Sequence, residues 1–205
     1  DLSVKQRNKL NKALVNKFKV KEENITAENV SSTISKEMST NAIKAVAISV
    51  ILMLIYIWIR FRNVRFASSA VIALIHDIAV VAAFYVWTRA SVGSTFIAVM
   101  LTILGYSINS TIVISDRIRE NKNLDKNMDN ETAVNSAVTD TLSRSIYSSL
   151  TTLITVFVLF IMGVPAVKEF ALPIIIGLIA GTFSSVCVTG PLWCTMNKKR
   201  KTTKN

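Results

Sequence analysis

The sequence is poor in the groups that carry most enzyme chemistry. It has one histidine, His76, and two cysteines, Cys187 and Cys194. A lone imidazole with no cysteine or second histidine nearby is a poor metal site. The cysteines lie seven residues apart in one apolar run, about two helical turns, too far apart to bridge along a straight helix. They read as small apolar residues and say nothing about redox compartment. No phosphate-binding glycine loop, nucleophile–base pairing or metal-ligand spacing occurs, so nothing argues for an enzyme, a metal or a cofactor. Acids are also scarce, 13 against 24 Lys and Arg, for a net charge of +11. The chain begins with Asp1, has no signal-peptide pattern, and is expected to be a piece of a longer protein.

Long hydrophobic runs are abundant. Stretches of about 18 or more mostly apolar residues can each cross roughly 30 Å of hydrocarbon as a helix. Five spans are expected, near 40–59, 66–87, 94–114, 145–162 and 170–196. The fold class is therefore an all-α polytopic membrane bundle over residues 40–196. Residues 1–39 are polar and Lys-rich, with a short amphipathic helix through Leu10, Leu14 and Phe18, a strand in the region Phe18 to Ile25, and an approach segment Val30 to Met38. This piece is too small to close a core and is expected to be the end of an external α+β domain. Residues 197–205 form a basic tail.

The excess of basic residues would suggest nucleic acid in a soluble domain. Here it flanks the spans, which makes it topological and gives no reason to expect nucleic acid. Arg60, Arg62 and Arg65, then Arg117, Arg119, Lys122 and Lys126, then Lys198 to Lys201 fall on one side. That side is expected to be cytoplasmic, with the N-terminal segment outside. Between the third and fourth spans, Ala133, Val134, Ala137, Val138 and Leu142 recur at helical spacing. They predict an amphipathic helix near 128–141 lying along the surface.

Polar groups inside apolar spans are the candidate site, because they are costly in lipid unless they face protein or a water-filled cavity. Leu101 to Asn121 carries most of them: Tyr106, Ser107, Asn109, Ser110 and Thr111, then Asp116 and Arg117. Asn109, Ser110 and Thr111 either pass hydrogen bonds along water or hold helices together. Asp77 is the one carboxylate well inside a span. It either shuttles protons or is a structural carboxyl bonded to neighbouring helices. His76 either titrates near neutral pH or simply meets a neighbour or a headgroup. Arg144 opens the fourth span beside Ser143 and Ser145, with Ser148, Ser149, Thr151 and Thr152 following. It either snorkels to the interface or reaches a polar interior. Asp77, Asn109 and Arg144, from three neighbouring spans, are expected to converge on one lipid-shielded interior.

The run Gly105-Tyr106-Ser107-Ile108-Asn109-Ser110-Thr111-Ile112-Val113-Ile114-Ser115-Asp116-Arg117-Ile118-Arg119-Glu120-Asn121 resembles the G-Y-S-x-N-D-T-V-V-x-x-D-R-x-R-E-N pattern of SecF, the Sec translocon accessory subunit, or of the SecF half of a fused SecDF. Ala73 to Asp77, Leu142 to Thr152, and Phe170-Ala171 with Gly177 to Ser185 are similar to further stretches of that family. The resemblance implies spans two to six of a six-span domain related to the resistance-nodulation-division transporters. It implies a bacterial or archaeal cell membrane, and SecD, the Sec translocon channel, an unfolded preprotein and membrane lipids as partners. It also implies proton-motive assistance to export. The family's proton coupling is attributed to the acid after the asparagine and to the arginine matching Arg144. This chain has Ser110 in the acid's place, and a hydroxyl relays a proton without holding a negative charge at neutral pH. Arg144 would then need another counter-ion: Asp77, Asp116 or a SecD carboxylate. Two other readings stay open: half of a small-molecule or lipid pump, and a structural SecF that has lost coupling.

Overall fold

The computed structural model describes residues 4–18, 32–90 and 92–198. The region expected to form a strand, beyond Phe18, and nearly all of the basic tail lie outside them. Among the described residues every element is a helix. The helices are α1 (Val4–Phe18), α2 (Ser32–Phe61), α3 (Val64–Thr88), α4 (Ser94–Leu124), α5 (Asn130–Met162), α6 (Pro165–Ser184) and α7 (Gly190–Lys198), with a π-helical turn Ser185–Thr189 joining the last two. Five spans are long and apolar enough to cross a membrane: Glu37–Phe61, Val64–Thr88, Ser94–Leu124, Asn130–Met162 and Pro165–Asn197. The all-α membrane bundle that the hydropathy predicts is what forms.

The helices overrun the hydropathy boundaries because nothing stops them. α4 has 31 residues, about 46 Å of rise, and so extends well past the hydrocarbon. The separate surface helix expected near 128–141 is not separate. No Gly or Pro interrupts 130–162, so that stretch and the fourth span are one helix of 33 residues. Of its apolar stripe, Ala133 is buried, and Val134 and Ala137 pack against Ile114, Ile118 and Trp193 in the core. The stripe serves the bundle where the sequence suggested a membrane surface.

α4 is central and packs against α2, α3, α5 and α6. Only 11% of the apolar window of α2, and of α5, is buried inside the protein, against 44% for α4 and 50% for the last span. α2 and α5 therefore present most of their surface outward. The core divides into two apolar clusters. One holds Phe61, Phe66, Ile114, Ile118, Val134 and Trp193, with Phe66 stacked on Trp193 at 4.6 Å between centroids. The other holds Val81, Tyr85, Val99, Met100, Ile103 and Leu178.

The charged side chains gather at the end nearest the first cluster. Arg60 pairs with Asp116 at 2.7 Å, and Arg117 pairs with Asp140 at 2.7 Å and Glu120 at 2.8 Å. Arg65 donates to Asn197. Pairs this exposed contribute about 0–1 kcal/mol each; they set register between helix ends more than stability. Arg62, at φ 50°, closes α2, and Asn63 caps α3 by accepting from the Arg65 N–H.

Asp129 caps α5 by accepting the Thr132 backbone N–H at 2.9 Å. Hydrogen bonds from the Thr132 side chain and backbone hold its carboxyl below the usual carboxylate range. A depressed value means the cap contributes above the ordinary carboxylate range and is lost as pH falls through the folded value. Asp129→Ala should therefore speed amide exchange over the first turn of α5 at neutral pH. Acidification should reproduce that effect in the wild type and add little in the variant. Hydrogen-exchange mass spectrometry checks both.

Candidate functional site

Between the two apolar clusters lies a layer of polar side chains. Each helix reaches it by the same route. On α3 the buried stripe Phe66, Ala70, Ala73, Leu74, Val81 and Tyr85 is interrupted by Asp77. On α4 the stripe Val99, Met100, Ile103, Ile114 and Ile118 is interrupted by Ser107 and Thr111. On α6 the stripe Ile174, Gly177 and Leu178 ends in Gly181 and Ser184. Helical spacing keeps these on one face, so the three interruptions meet.

Asp77 is fully buried. Its Oδ2 accepts the Ser107 hydroxyl of α4 at 2.5 Å and the Ser184 hydroxyl of α6 at 2.8 Å. Its Oδ1 lies 3.1 Å from Nδ1 of His76. Asp77 thus ties α3 to α4 and α6 at one level. His76 has 40% of its side-chain surface exposed against 0% for Asp77, and its ring lies 6.4 Å from that of Phe183.

Two backbone features let the helices come this close. A Cβ on Gly181 would sit 3.1 Å from the Ser107 Cβ and 3.6 Å from Asp77 Oδ2, so glycine is what admits α4 here. Just beyond it the helix widens into the π turn. Pro191 has no N–H to give the carbonyl of Cys187 and crowds it, and the turn before it is the one that opens. The widening turns Ser185 towards α4, where its hydroxyl lies 3.1 Å from that of Thr111 and donates to the Ser107 carbonyl at 3.3 Å.

The expected convergence of Asp77, Asn109 and Arg144 does not occur within this chain. Ser107 and Thr111 are buried with Asp77. Asn109 is exposed, Ser110 is partly exposed, and Arg144 is exposed. Among the described residues no side-chain hydrogen bond or ion pair reaches Asn109, Ser110 or Arg144. Two residues along a helix turn the side chain by about 200°, so Ser107 and Asn109 face opposite ways although they are near neighbours in sequence. Tyr106 packs against the other apolar cluster, its hydroxyl buried without a partner among the described residues. Asp116 and Arg117 lie at the charged end, paired as above. Both in-chain counter-ions considered for Arg144 are engaged elsewhere: Asp77 with its serines and His76, Asp116 with Arg60.

Sequence reasoning missed Ser184, Ser185 and Thr189. It read the Gly- and Ser-rich last span as a close-packing surface. That holds for Gly177 and Gly181, whose added Cβ atoms would meet Ile103 and Ser107. The serine hydroxyls, however, are hydrogen-bonding partners of the layer. A hydroxyl one turn after a glycine, opposite a lone carboxylate, was the available signal. Among the described residues no three His, Cys, Asp or Glu side chains group where a metal ion would need them.

Residues 10–199 match the family of the protein export membrane protein SecD/SecF, C-terminal. The chain belongs to that family. It is 39% identical to the protein translocase subunit SecF of Petrotoga mobilis over 85% of this chain and 57% of that one. It is 38% identical to the fused SecDF of Thermus thermophilus over 86% of this chain and 24% of that one. A crystal structure of SecDF, a translocon-associated membrane protein from Thermus thermophilus, superposes with a TM-score of 0.82 at 34% identity, over 96% of this chain and 27% of that one. A SecDF crystal structure in the super-membrane-facing form gives 0.79 at 33% identity over 99% of this chain. The chain thus spans a little over half of the Petrotoga SecF.

In this SecF-family bundle the polar layer should carry measurable stability. Ser107→Ala leaves the buried carboxylate one donor short and should cost about 1–2 kcal/mol, the upper part of the range for interhelical hydrogen bonds in membrane proteins. Ser68, which donates back to the Val64 carbonyl at an exposed position, should tolerate Ala within about 0.5 kcal/mol. Reversible unfolding in mixed micelles compares the two.

Proposed function

We propose that the chain is the membrane-embedded part of a SecF-type subunit that assists protein export, working with SecD or a fused SecD half beside the Sec translocon channel on an unfolded preprotein. The observation that carries this reading is a set of exposed polar positions on α4 and α5 that have no partner among the described residues. Arg144, Asn109 and Gly105 are exposed on the outside of the bundle, and a Cβ at Gly105 would meet nothing within 4 Å. A guanidinium and an amide on a span are costly against lipid. A second bundle with a small-residue approach and a carboxylate would satisfy them. Arg144 then takes its counter-ion from SecD, since the carboxylates of this chain that were candidates are already paired.

Coupling to the proton-motive force follows from the same face. A carboxylate opposite Arg144 that gains and loses a proton changes how firmly the two halves hold each other. The positive-inside rule places the Arg60, Arg65 and Arg117 end in the cytoplasm and the N-terminal segment outside, in the cell membrane of a bacterium or archaeon.

Ser110 favours a second reading, a subunit that braces the complex while SecD alone handles protons. Export into inverted vesicles, with and without a proton gradient, separates the two. Ser110→Asp should raise the gradient-dependent part if this position limits coupling; an unchanged response drops that idea. Arg144→Leu should cut gradient-stimulated export at least tenfold, while Arg65→Leu, at the charged end of the bundle, should leave most of it. Equal losses would count against a site at Arg144.

A further inference from the structure

The geometry points to a second proton-binding site in this subunit, at the His76–Asp77 pair, separate from the face that carries Ser110 and Arg144. The first argument is the company Asp77 keeps. A carboxylate kept permanently charged inside a span is normally paired with Arg or Lys. Here the partners are two hydroxyls and an imidazole. From α4 the groups facing it are Ser107 and, one turn on, Thr111. From α6 they are Ser184 and Gly181, and from the π turn Ser185. None is charged, and among the described residues His76 is the sole titratable side chain in contact with the carboxylate. Hydroxyls donate as well as accept, so Ser107 and Ser184 can serve both an ionised and a protonated Asp77.

The second argument is access. Asp77 has no exposed surface, whereas His76 has 40% of its side chain exposed on the outer surface beside Phe183. One ring nitrogen meets the carboxylate, and the side chain as a whole is partly exposed. A proton arriving at Nε2 of a neutral His76 makes the imidazolium. Its Nδ1 proton passes to Asp77 Oδ1 across 3.1 Å. What remains is a neutral imidazole protonated on Nε2 and a neutral carboxylic acid, and the reverse step returns the proton. The third argument is separation. Among the described residues no hydrogen bond or ion pair joins Ser110 or Arg144 to Asp77, His76, Ser107 or Ser184, so the two sites share a helix and no bond.

The consequence is structural as well as chemical. Asp77 Oδ2 is the acceptor that holds Ser107 of α4 and Ser184 of α6. Ser184 ends α6 where the π turn begins. Neutralising the carboxylate weakens both bonds, since charge-assisted hydrogen bonds are the stronger kind. The widened turn is then freer to shift against α4. Any use of this shift in export rests on the function proposed above; the proton binding itself does not.

pH-difference infrared spectroscopy on the full SecD–SecF complex in liposomes tests the site. The wild type should gain a protonated-carboxyl stretch on acidification, and Asp77→Asn should lose it. His76→Gln should keep the band and slow its appearance after a pH jump several-fold. No such band in the wild type, or an unchanged spectrum in Asp77→Asn, overturns the proposal. If Asp77→Asn does not assemble, Ser184→Ala decides: removing one donor should move the band to higher frequency, and an unmoved band overturns the assignment. A complex that keeps the band and does not support export retains this site and loses the export reading. One that supports export without the band loses this site alone.

Discussion

The structure depends on one buried carboxylate. Hydrocarbon offers no hydrogen bonds, so a charged or polar group in a span must find its partners in protein. Asp77 finds them on two other helices, and in doing so fixes the depth at which α3, α4 and α6 meet. The apolar clusters on either side add area without direction, since packing among Ile, Val, Leu and Phe tolerates sliding. The hydrogen bonds from Ser107 and Ser184 do not. Gly181 and the π turn are conditions for those bonds, one removing a Cβ and the other turning Ser185 to the same layer.

The same constraint explains what is left outside. Arg144 and Asn109 are as polar as anything in the layer and have no partner among the described residues. α4 is therefore a two-sided helix. One side is closed by α3 and α6 around Asp77. The other carries Gly105 and Asn109 and stands open; Arg144 of α5 is likewise exposed. A membrane helix with a satisfied side and an unsatisfied side is incomplete alone, and the proposed function offers the partner that would complete it: SecD, whose name the fused SecDF relatives carry together with SecF.

Much of this was legible in the sequence. Hydropathy located the five spans, because the need for about 20 apolar residues leaves few alternatives. The lone intramembrane Asp77 and the hydroxyls of Ser107 and Thr111 stood out for the cost of burying them. The errors have physical causes too. Helix ends were placed where apolarity ended, but α4 and α5 carry on into water because no glycine or proline stops them there. Proximity in sequence groups Asn109 with Ser107, although helical phase sends them to opposite faces. Arg144 was drawn into the same interior for its serine neighbours, and only the packed helices reveal which way it points. Ser184 and Ser185 were counted as small residues when their oxygens mattered as much as their size.

The central claim is that the polar groups of α4 form two separate sets, one closed within this chain and one completed by the partner. Site-directed cysteine crosslinking in membranes holding the full SecD–SecF complex tests it most directly. Asn109→Cys should crosslink to SecD in high yield and resist a lipid-borne photoprobe, while Thr111→Cys, buried in the layer, should neither crosslink nor take the probe. Labelling of Asn109→Cys by the lipid probe with no crosslink to SecD, or crosslinking of Thr111→Cys as readily as Asn109→Cys, would contradict the account.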